Sequence, residues 1–299
     1  MANSRFSVIS DEVSQDPSVV ARFVRDFQLN GFELRSMFGR AFKDLTPGDI
    51  DKVRAMIRAE GWRIHGCATP VFKCELGDSS ARKEHLEIFR RSLEVAGSLE
   101  CRLLRVFTFL RSGDPLNRDV LERICEHLQV LAELAARAGV RIGIENESSC
   151  RIGSGLELAE LARFFSHPAA GWIWDPCNVL YVPGESGGAT DHYGEFARGV
   201  IHIHVKDAVR TKGAEPLARA TPIGDGEVGW NRHLGEIGRF GYDGLFSLET
   251  HWRRTELDKN LLHLPAGEAF SAGGEEASRI CLARLTELWS SQGAPDPRI

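Results

Sequence analysis

Four residues with metal-binding side chains, Glu145, Asp175, His204 and Glu249, stand in the second half of the sequence. Three carboxylates and one imidazole sharing a pocket would repel one another unless a cation neutralised them. The set therefore predicts one bound divalent metal ion. The oxygen-rich ligands favour Mn²⁺ or Mg²⁺, and the imidazole keeps Co²⁺, Fe²⁺ and Zn²⁺ compatible with the site.

Each of the four residues ends, or nearly ends, a short apolar run with the composition of a β-strand. Successive residues of a strand point to opposite faces, so Glu145 faces away from Ile144, whereas His204 and Lys206 share one face. The intervals of 30 and 29 residues between the first three ligands each match one strand-plus-helix repeat. The 45-residue interval before the fourth leaves room for a long loop over the site.

Taken singly, each residue also has an ordinary structural interpretation. Asp175 could be a turn residue before Pro176, His204 a packed histidine, and the two glutamates ion-pair partners. Agreement in strand order, side-chain parity and height favours one shared site over four separate roles.

Strand-like runs alternate with helix-like segments along the chain, as in repeated βα units. Helix signals support the alternation: Thr46 is a predicted N-cap, Pro47 opens the first turn and Gly61 follows the last. A second predicted helix begins at Leu121 and ends before Gly139. The predicted strands cover residues 6–10, 32–36, 63–67, 103–109, 141–145, 172–175, 200–205 and 245–250.

Eight such repeats without a Ser/Gly-rich linker predict an α/β fold, a single-domain (β/α)8 TIM barrel over residues 1–299. A doubly wound dinucleotide-binding sheet would need a glycine-rich turn after the first strand, where residues 10–18 read SDEVSQDPS. Active sites of barrels lie at the carboxyl ends of the strands, where the four candidate ligands stand.

Composition excludes several partners. With a net charge of −5, a pI near 6.1 and no Lys/Arg run, the chain is not expected to bind nucleic acid. No segment approaches the roughly 20 apolar residues that span a bilayer, so no membrane partner is expected. Seven cysteines without CxxC spacing indicate neither a disulfide framework nor a thiolate zinc site, and they predict a cytoplasmic location.

Several short motifs together carry a resemblance to a known family. They are IENE (144–147), WDPCN (174–178), HIHVKD (202–207), GDGEVGW (224–230) and SLETHW (247–252). In this order and spacing the chain resembles the sugar phosphate isomerase/epimerase family, part of the xylose isomerase-like TIM-barrel superfamily, over nearly its whole length. The resemblance implies that the four candidate ligands hold the metal, that Asn178 and Arg210 contact the substrate, and that two copies form a homodimer. Many members have His where Asn178 stands, which leaves the substrate class open.

Isomerases and epimerases of this kind move a proton next to a carbonyl. That chemistry needs a Lewis acid to stabilise an enediolate, together with groups that remove and return the proton. Glu145 and Glu249 flank the ligand set on opposite sides and are the expected acid–base pair, as the family resemblance implies. The expected partner is a small sugar, keto-polyol or other carbohydrate-like substrate.

Three further residues are candidate substrate contacts. Lys206 shares the inward face of His204, Lys73 follows the third strand, and His65 lies within that strand. An ion pair inside the barrel is the alternative for Lys206, and a hydrogen-bonded interior histidine is the alternative for His65.

Nearby polar residues receive structural interpretations. Glu33 and Arg35 share one face of the second strand, which predicts an ion pair between them. His202 lies one pleat below His204 and is expected to pack or to support that ligand.

Three other functions remain open on the sequence. A lyase would use the same metal and carboxylates but lose water from the intermediate, giving a conjugated product that absorbs ultraviolet light. An endonuclease acting on abasic DNA would show salt-sensitive DNA binding, which the acidic composition does not favour. A pure binding module would turn over no sugar at all.

Overall fold

A computed structural model describes residues 5–113, 115–211, 216–255 and 267–292. Within these residues eight parallel strands form a barrel, and each overlaps a run predicted from the sequence. The strands are β1 (Phe6–Val8), β2 (Gly31–Leu34), β3 (Arg63–Ala68), β4 (Leu103–Val106), β5 (Arg141–Glu145), β6 (Ala170–Trp174), β7 (Val200–Val205) and β8 (Phe246–Leu248).

The strands follow one another around the barrel in chain order. Hydrogen-bonded neighbours run from β2 through β8 to β1, and one parallel bridge between Ile9 and Glu33 places β1 beside β2. The ring is therefore nearly closed, which confirms the predicted (β/α)8 TIM-barrel fold. The extension of this domain over all of residues 1–299 stays a prediction.

Helices cover the outside of the barrel. Among the described residues, none of them is both long and apolar enough to cross a bilayer. The longer helices are α1 (Pro17–Asp26), α2 (Pro47–Glu60), α3 (Ser79–Ser98), α4 (Arg118–Arg137), α5 (Gly155–Phe164), α6 (Trp230–Arg239) and α7 (Gly274–Ser291). Shorter α-helical turns are Ser10–Val13, Tyr193–Phe196 and Glu268–Ser271, and 3₁₀ turns are Phe42–Asp44, Pro176–Tyr181 and Ala197–Gly199.

Helix α2 begins and ends where its local sequence predicts. Thr46 Oγ1 accepts a hydrogen bond from the backbone N–H of Asp49, and the Asp49 carboxylate accepts one from the backbone N–H of Thr46. Gly61 ends the helix in the left-handed conformation with a φ of 68°. Helix α4 ends before Gly139, as predicted, but starts earlier than Leu121 because Asn117 caps its first turn.

Side chains alternate between the helix layer and the barrel interior. Trp174 faces the helices, as its parity predicts, and its Nε1 donates to His233 Nε2 of α6 at 2.9 Å. Inside the barrel, Gly143 makes room for Ile173, because a Cβ on Gly143 would lie 2.6 Å from Ile173 Cδ1.

The long interval between β7 and β8 contains ordered structure at the carboxyl end of β7. Strands Asp207–Arg210 and Ala218–Thr221 pair there as an antiparallel hairpin, and α6 follows. This excursion accounts for the 45 residues that separate the third candidate ligand from the fourth.

Candidate active site

The four candidate ligands converge at the carboxyl end of the barrel. Glu145 ends β5, Asp175 follows β6, His204 lies in β7 and Glu249 follows β8. One ligand atom from each residue lies within 4.8 Å of the others, and all four residues are buried. Because neighbouring strands are about 4.8 Å apart, adjacent strand ends alone bring these atoms together. We call these four residues the acidic quartet.

The two carboxylate oxygens of Asp175 have different roles, one in the local turn and one in the quartet. Its Oδ1 accepts hydrogen bonds from the backbone N–H groups of Cys177 at 2.9 Å and Asn178 at 3.2 Å, which begins the turn Pro176–Tyr181. Asn146 Oδ1 accepts the backbone N–H of Asp175 at 2.8 Å. Asp175 Oδ2 is buried and receives no hydrogen bond from the described residues, so it is available to a cation.

His204 directs its two ring nitrogens to different carboxylates. Nε2 lies 3.2 Å from Glu33 Oε2, and Nδ1 lies 3.0 Å from Glu145 Oε1. Ionised carboxylates only accept hydrogen bonds, so each of these contacts favours a proton on its ring nitrogen. A cation bound within the quartet would take the lone pair of Nδ1 and leave the proton on Nε2, against Glu33. Glu33 also lies 2.9 Å from His202 Nε2, consistent with the supporting role expected of His202.

The ion pair predicted between Glu33 and Arg35 does not form. Glu33 reaches across the barrel to the histidines of β7, whereas Arg35 lies past the end of β2 and turns towards β1 and β8. Shared parity placed both side chains on the inner face, but their different heights along the barrel gave them different partners.

Arg35 joins three carboxylates from two other strand ends. Its guanidinium donates to Asp11 Oδ1 at 2.9 Å, to Glu12 Oε1 at 2.7 Å and to Glu249 Oε1. Asp11 and Glu12 belong to the turn Ser10–Val13, directly after β1. In the sequence, this acidic segment serves only as evidence against a dinucleotide site. Its position after the first strand was the signal that it belongs to the barrel mouth.

Two further cations border the quartet. The Lys206 ammonium lies 2.8 Å from Asp175 Oδ2, outside hydrogen-bond geometry, and donates to Glu249 Oε2 at 3.2 Å. Arg105 Nη1 lies 3.2 Å from Glu145 Oε2. Sequence reasoning missed Arg105, although a charged residue inside the apolar run LLRVF was a usable signal.

The pKa shifts of Asp175 and His204 come from burial together with the charges crowded around them. Burial raises the pKa of Asp175 above its usual range, and the nearby carboxylates of Glu249 and Glu145 raise it further. Burial by itself lowers the pKa of His204, but the carboxylates of Glu33 and Glu145 reverse this and raise it well above its usual range. A cation among these side chains would relieve both shifts.

Charge balance supports the same conclusion. Within the described residues, seven carboxylates at the mouth face five Lys or Arg side chains, and the buried Asp207 lies nearby, so negative charge is in excess and a divalent cation would reduce it. The carboxylates belong to Asp11, Glu12, Glu33, Glu145, Glu147, Asp175 and Glu249, and the cations to Arg35, Lys73, Arg105, Lys206 and Arg253. The donor set, the free carboxylate oxygens and the charge all fit a divalent metal ion.

Asn178 and Lys73 lie beside the quartet, where the sequence analysis expected substrate contacts. Asn178 Nδ2 donates to the carbonyl oxygen of Asn146 at 2.7 Å and lies 3.4 Å from Glu145 Oε1. Lys73 Nζ is 3.6 Å from Glu147 Oε1, and 26% of the Lys73 side chain is exposed. Lys73 can therefore reach a molecule that enters the mouth.

Arg210 and His65 are not brought to the quartet by the contacts they make. Arg210 Nη2 donates to the carbonyl oxygen of Gly187 at 2.7 Å, and Nη1 lies 3.7 Å from Glu227 Oε2. His65 Nδ1 lies 2.8 Å from Ser7 Oγ of β1, in the lower half of the barrel. His65 had the inward parity of a site residue but not the height.

Asp207 ties the glycine-rich motif GDGEVGW to the end of β7. Its Oδ2 accepts hydrogen bonds from the backbone N–H groups of Gly224 at 2.9 Å and Gly226 at 3.2 Å, and its Oδ1 accepts one from Val228 at 3.2 Å. A Cβ on Gly226 would lie 2.0 Å from Asp207 Oδ1, so this approach requires glycine.

Comparisons with known proteins agree with this geometry. Residues 21–272 match the model of a family described as xylose isomerase-like TIM barrel. An L-ribulose-5-phosphate 3-epimerase, UlaE of Escherichia coli O1:K1 / APEC, is 25% identical over 213 residues, which are 70% of this chain and 69% of the relative.

Two solved structures show the same fold. One, a xylose isomerase-like TIM barrel protein from Mycobacterium smegmatis in complex with magnesium, has a TM-score of 0.65 and 14% identity over 94% of this chain and 98% of the other. The other, the IOLI protein with a binding zinc atom, has a TM-score of 0.72 and 12% identity over 97% of this chain and 99% of the other.

The acids around Arg35 should make stability depend on pH. Burial raises the pKa of Glu12, but His251, Arg253 and Arg35 lower it more, to about 2 from an ordinary value of 4.5. The carboxylate therefore stabilises the fold fully above pH 4.5, and this contribution is lost as pH falls towards 2. We expect Glu12→Gln to lower the free energy of unfolding at pH 7 by about 3 kcal/mol and to flatten its decrease in acid.

Urea denaturation followed by circular dichroism at several pH values measures the free energy of unfolding of each variant. Glu122→Gln, on the exposed face of α4, is the matched control and should follow the wild-type curve. Parallel curves for wild type and Glu12→Gln, offset by the same free energy at every pH, would contradict the assigned role of Glu12.

Proposed function

Since the chain belongs to the xylose isomerase-like TIM-barrel family, we propose that it is a divalent-metal-dependent isomerase or epimerase of a small sugar, keto-polyol or sugar derivative. One observation carries the proposal: the four buried side chains of the acidic quartet place a ligand atom each within 4.8 Å of one another. The quartet stands at the carboxyl end of the barrel, where barrel enzymes have their active sites.

Relatives support both the substrate class and the metal. UlaE acts, by its name, on L-ribulose 5-phosphate, a small phosphorylated ketose. The structural neighbours hold magnesium in one case and zinc in the other. Mn²⁺ or Mg²⁺ remains our prediction for this chain on ligand chemistry. A homodimeric assembly and a cytoplasmic location also stay predictions.

Glu145 and Glu249 are the proposed acid–base pair. Glu145 Oε2 is buried and makes no hydrogen bond with the described residues, although Arg105 Nη1 lies 3.2 Å away, and this oxygen is the proposed acceptor of the proton from substrate carbon. Glu249 lies three strands away around the ring, with its two oxygens held by Arg35 and Lys206. One carboxylate removes the proton and the other returns it to the opposite face of the same carbon, as an epimerisation requires.

Cationic side chains would stabilise the charge that develops during this transfer. Lys206 and Arg105 stand beside the quartet and can donate to a substrate oxygen that becomes negative. When bound by Glu145, Asp175, His204 and Glu249, a divalent ion would supply Lewis acidity for the same purpose. Asn178 and Lys73 are the proposed substrate contacts at the rim. A substrate contact by Arg210 stays a prediction from the sequence, and we do not propose His65 for this site because it lies away from the quartet.

Removal of the metal is the first test. We expect one divalent ion per chain after reconstitution, and we expect chelation to abolish turnover until Mn²⁺ or Mg²⁺ is restored, because the quartet would otherwise hold uncompensated charge. Elemental analysis measures the metal content, and an activity screen over ketoses, inososes and keto-glycosides measures turnover. A protein that binds no ion at the quartet contradicts the proposal, and an ultraviolet-absorbing product would assign the chain to the lyases instead.

Substitution of the acid–base pair is the second test. We expect Glu145→Gln and Glu249→Gln each to reduce turnover by about 10²–10⁴-fold, the usual contribution of a positioned acid or base. Glu122→Gln, on the exposed face of α4, is the control and should retain activity. Metal content is measured for every variant. Wild-type turnover in both variants, with metal bound, would remove these residues from the mechanism.

Glu33 is expected to position His204. Glu33→Gln removes the carboxylate that holds the proton on Nε2, so metal affinity should fall by about 10–100-fold, as for other carboxylates that orient ligating histidines. Competition with a chromophoric chelator measures the affinity without any assay of turnover. Gln129→Glu on exposed α4 serves as a charge control. If Glu33→Gln folds and binds metal as tightly as wild type, Glu33 has no such role.

A further inference from the structure

A cavity of about 480 Å³ opens at the amino ends of the strands, on the opposite end of the barrel from the acidic quartet. It lies between the carboxyl-terminal parts of α2 and α3 and the first residues of β3. Strands of five or six residues separate the two ends by about 15–20 Å. The side chains that line it include Arg54, Arg58, Trp62, Arg63, His65 and Arg102.

The charge of this cavity is opposite to that of the whole chain. Four guanidinium groups line it together with one carboxylate, Glu100, whereas the chain carries a net charge of −5. Arg58 and Glu100 are 3.5 Å apart with both side chains mostly exposed, so this pair is weak. Arg102 donates to the carbonyl oxygen of Gly139 at 3.0 Å rather than to an acid.

Compensation of helix dipoles explains only part of this charge. Arg58 stands in the last turn of α2, where a cation is favourable beside the free carbonyl groups. Arg54 lies more than a turn further from that helix end, and Arg63 and Arg102 stand at the starts of strands. Arg54 also pairs with Asp51 of its own helix, and Arg102 binds the Gly139 carbonyl just past the end of α4, whereas the Arg63 side chain has no acidic partner among the described residues. Arg63 therefore needs another reason to line the cavity.

His65 adds a polar group that the fold leaves unused. Its Nδ1 lies 2.8 Å from Ser7 Oγ, and its Nε2 is buried with no hydrogen-bond partner among the described residues. Buried polar atoms of this kind normally have a partner. Gly31 stands next to Nε2: a Cβ there would lie 1.9 Å from the carbonyl oxygen of Arg63 and 2.9 Å from Nε2, so this position requires glycine.

From this arrangement we infer that the amino-end cavity binds a small molecule bearing a phosphate group. Guanidinium groups match phosphate oxygens with paired hydrogen bonds, and arginine is the preferred residue for this contact. Arg63 and Arg102 reach the anion from two neighbouring strands, Arg58 from α2, and the indole of Trp62 offers a flat apolar wall to the rest of the ligand. The volume is that of an ordinary small-molecule site.

Isothermal titration calorimetry on the purified full-length protein tests the inference. The probes are inorganic phosphate and glycerol phosphate, with glycerol as the uncharged comparison and chloride to keep ionic strength constant. We expect binding of both phosphates with a Kd of about 1 mM or tighter, and no heat from glycerol. The double variant Arg63→Gln/Arg102→Gln should bind at least about tenfold more weakly, because two charge-assisted contacts are lost.

Two controls separate this cavity from other sites. Arg137→Gln/Arg239→Gln removes the same charge from the last turns of α4 and α6 and should leave affinity unchanged. Lys73→Gln, at the mouth near the quartet, should also leave it unchanged. Circular dichroism melting without phosphate checks that each variant folds, as expected for exposed arginines. Absence of binding to wild type overturns the inference, and so does affinity lost in Lys73→Gln but kept in Arg63→Gln/Arg102→Gln.

Discussion

Negative charge confined to the carboxyl end of the barrel is the constraint on which the rest of the site depends. Carboxylates taken out of water are costly unless cations and hydrogen-bond donors surround them. Arg35 meets this need for Asp11, Glu12 and Glu249 at once. It also joins the ends of β1, β2 and β8 at the seam where β1 and β2 otherwise share the single bridge at Glu33. Arg35 therefore contributes both to neutralising the site and to closing the barrel.

The quartet is held by atoms that do not face its centre. Asp175 uses Oδ1 to begin a turn and directs Oδ2 to the Lys206 ammonium at the quartet, and His204 uses Nε2 against Glu33 and directs Nδ1 inward. A ligand oriented in this way loses little freedom when a cation binds. Each of these two side chains is also held by an atom that faces away from the centre of the quartet, so its orientation is restricted. Neighbours such as Asn146, which accepts the backbone N–H of Asp175, therefore help to position the ligands.

Local sequence patterns determined the fold and the faces of the strands. Alternation of apolar and polar residues has a period of two in a strand, so parity alone placed Glu145 and His204 on the inner face and Trp174 against the helices. Caps depend on a few adjacent residues, so Thr46 and Gly61 marked the ends of α2. The repeat length then predicted that neighbouring strand ends would meet, and the structure brings these side chains together.

Tertiary structure alone decided which charged groups pair and at what height each one lies. Glu33 and His204 are 171 residues apart, and no local pattern distinguishes that contact from the rejected pairing of Glu33 with Arg35. Height along the barrel depends on register between strands, which moved His65 away from the quartet although its parity was suitable. Arg105 likewise reaches Glu145 only because neighbouring strands place the two side chains close together. The periodicity of apolar residues can be read from the sequence. Which charged groups pair depends on distances between long side chains, and those distances are set only when the strands assemble.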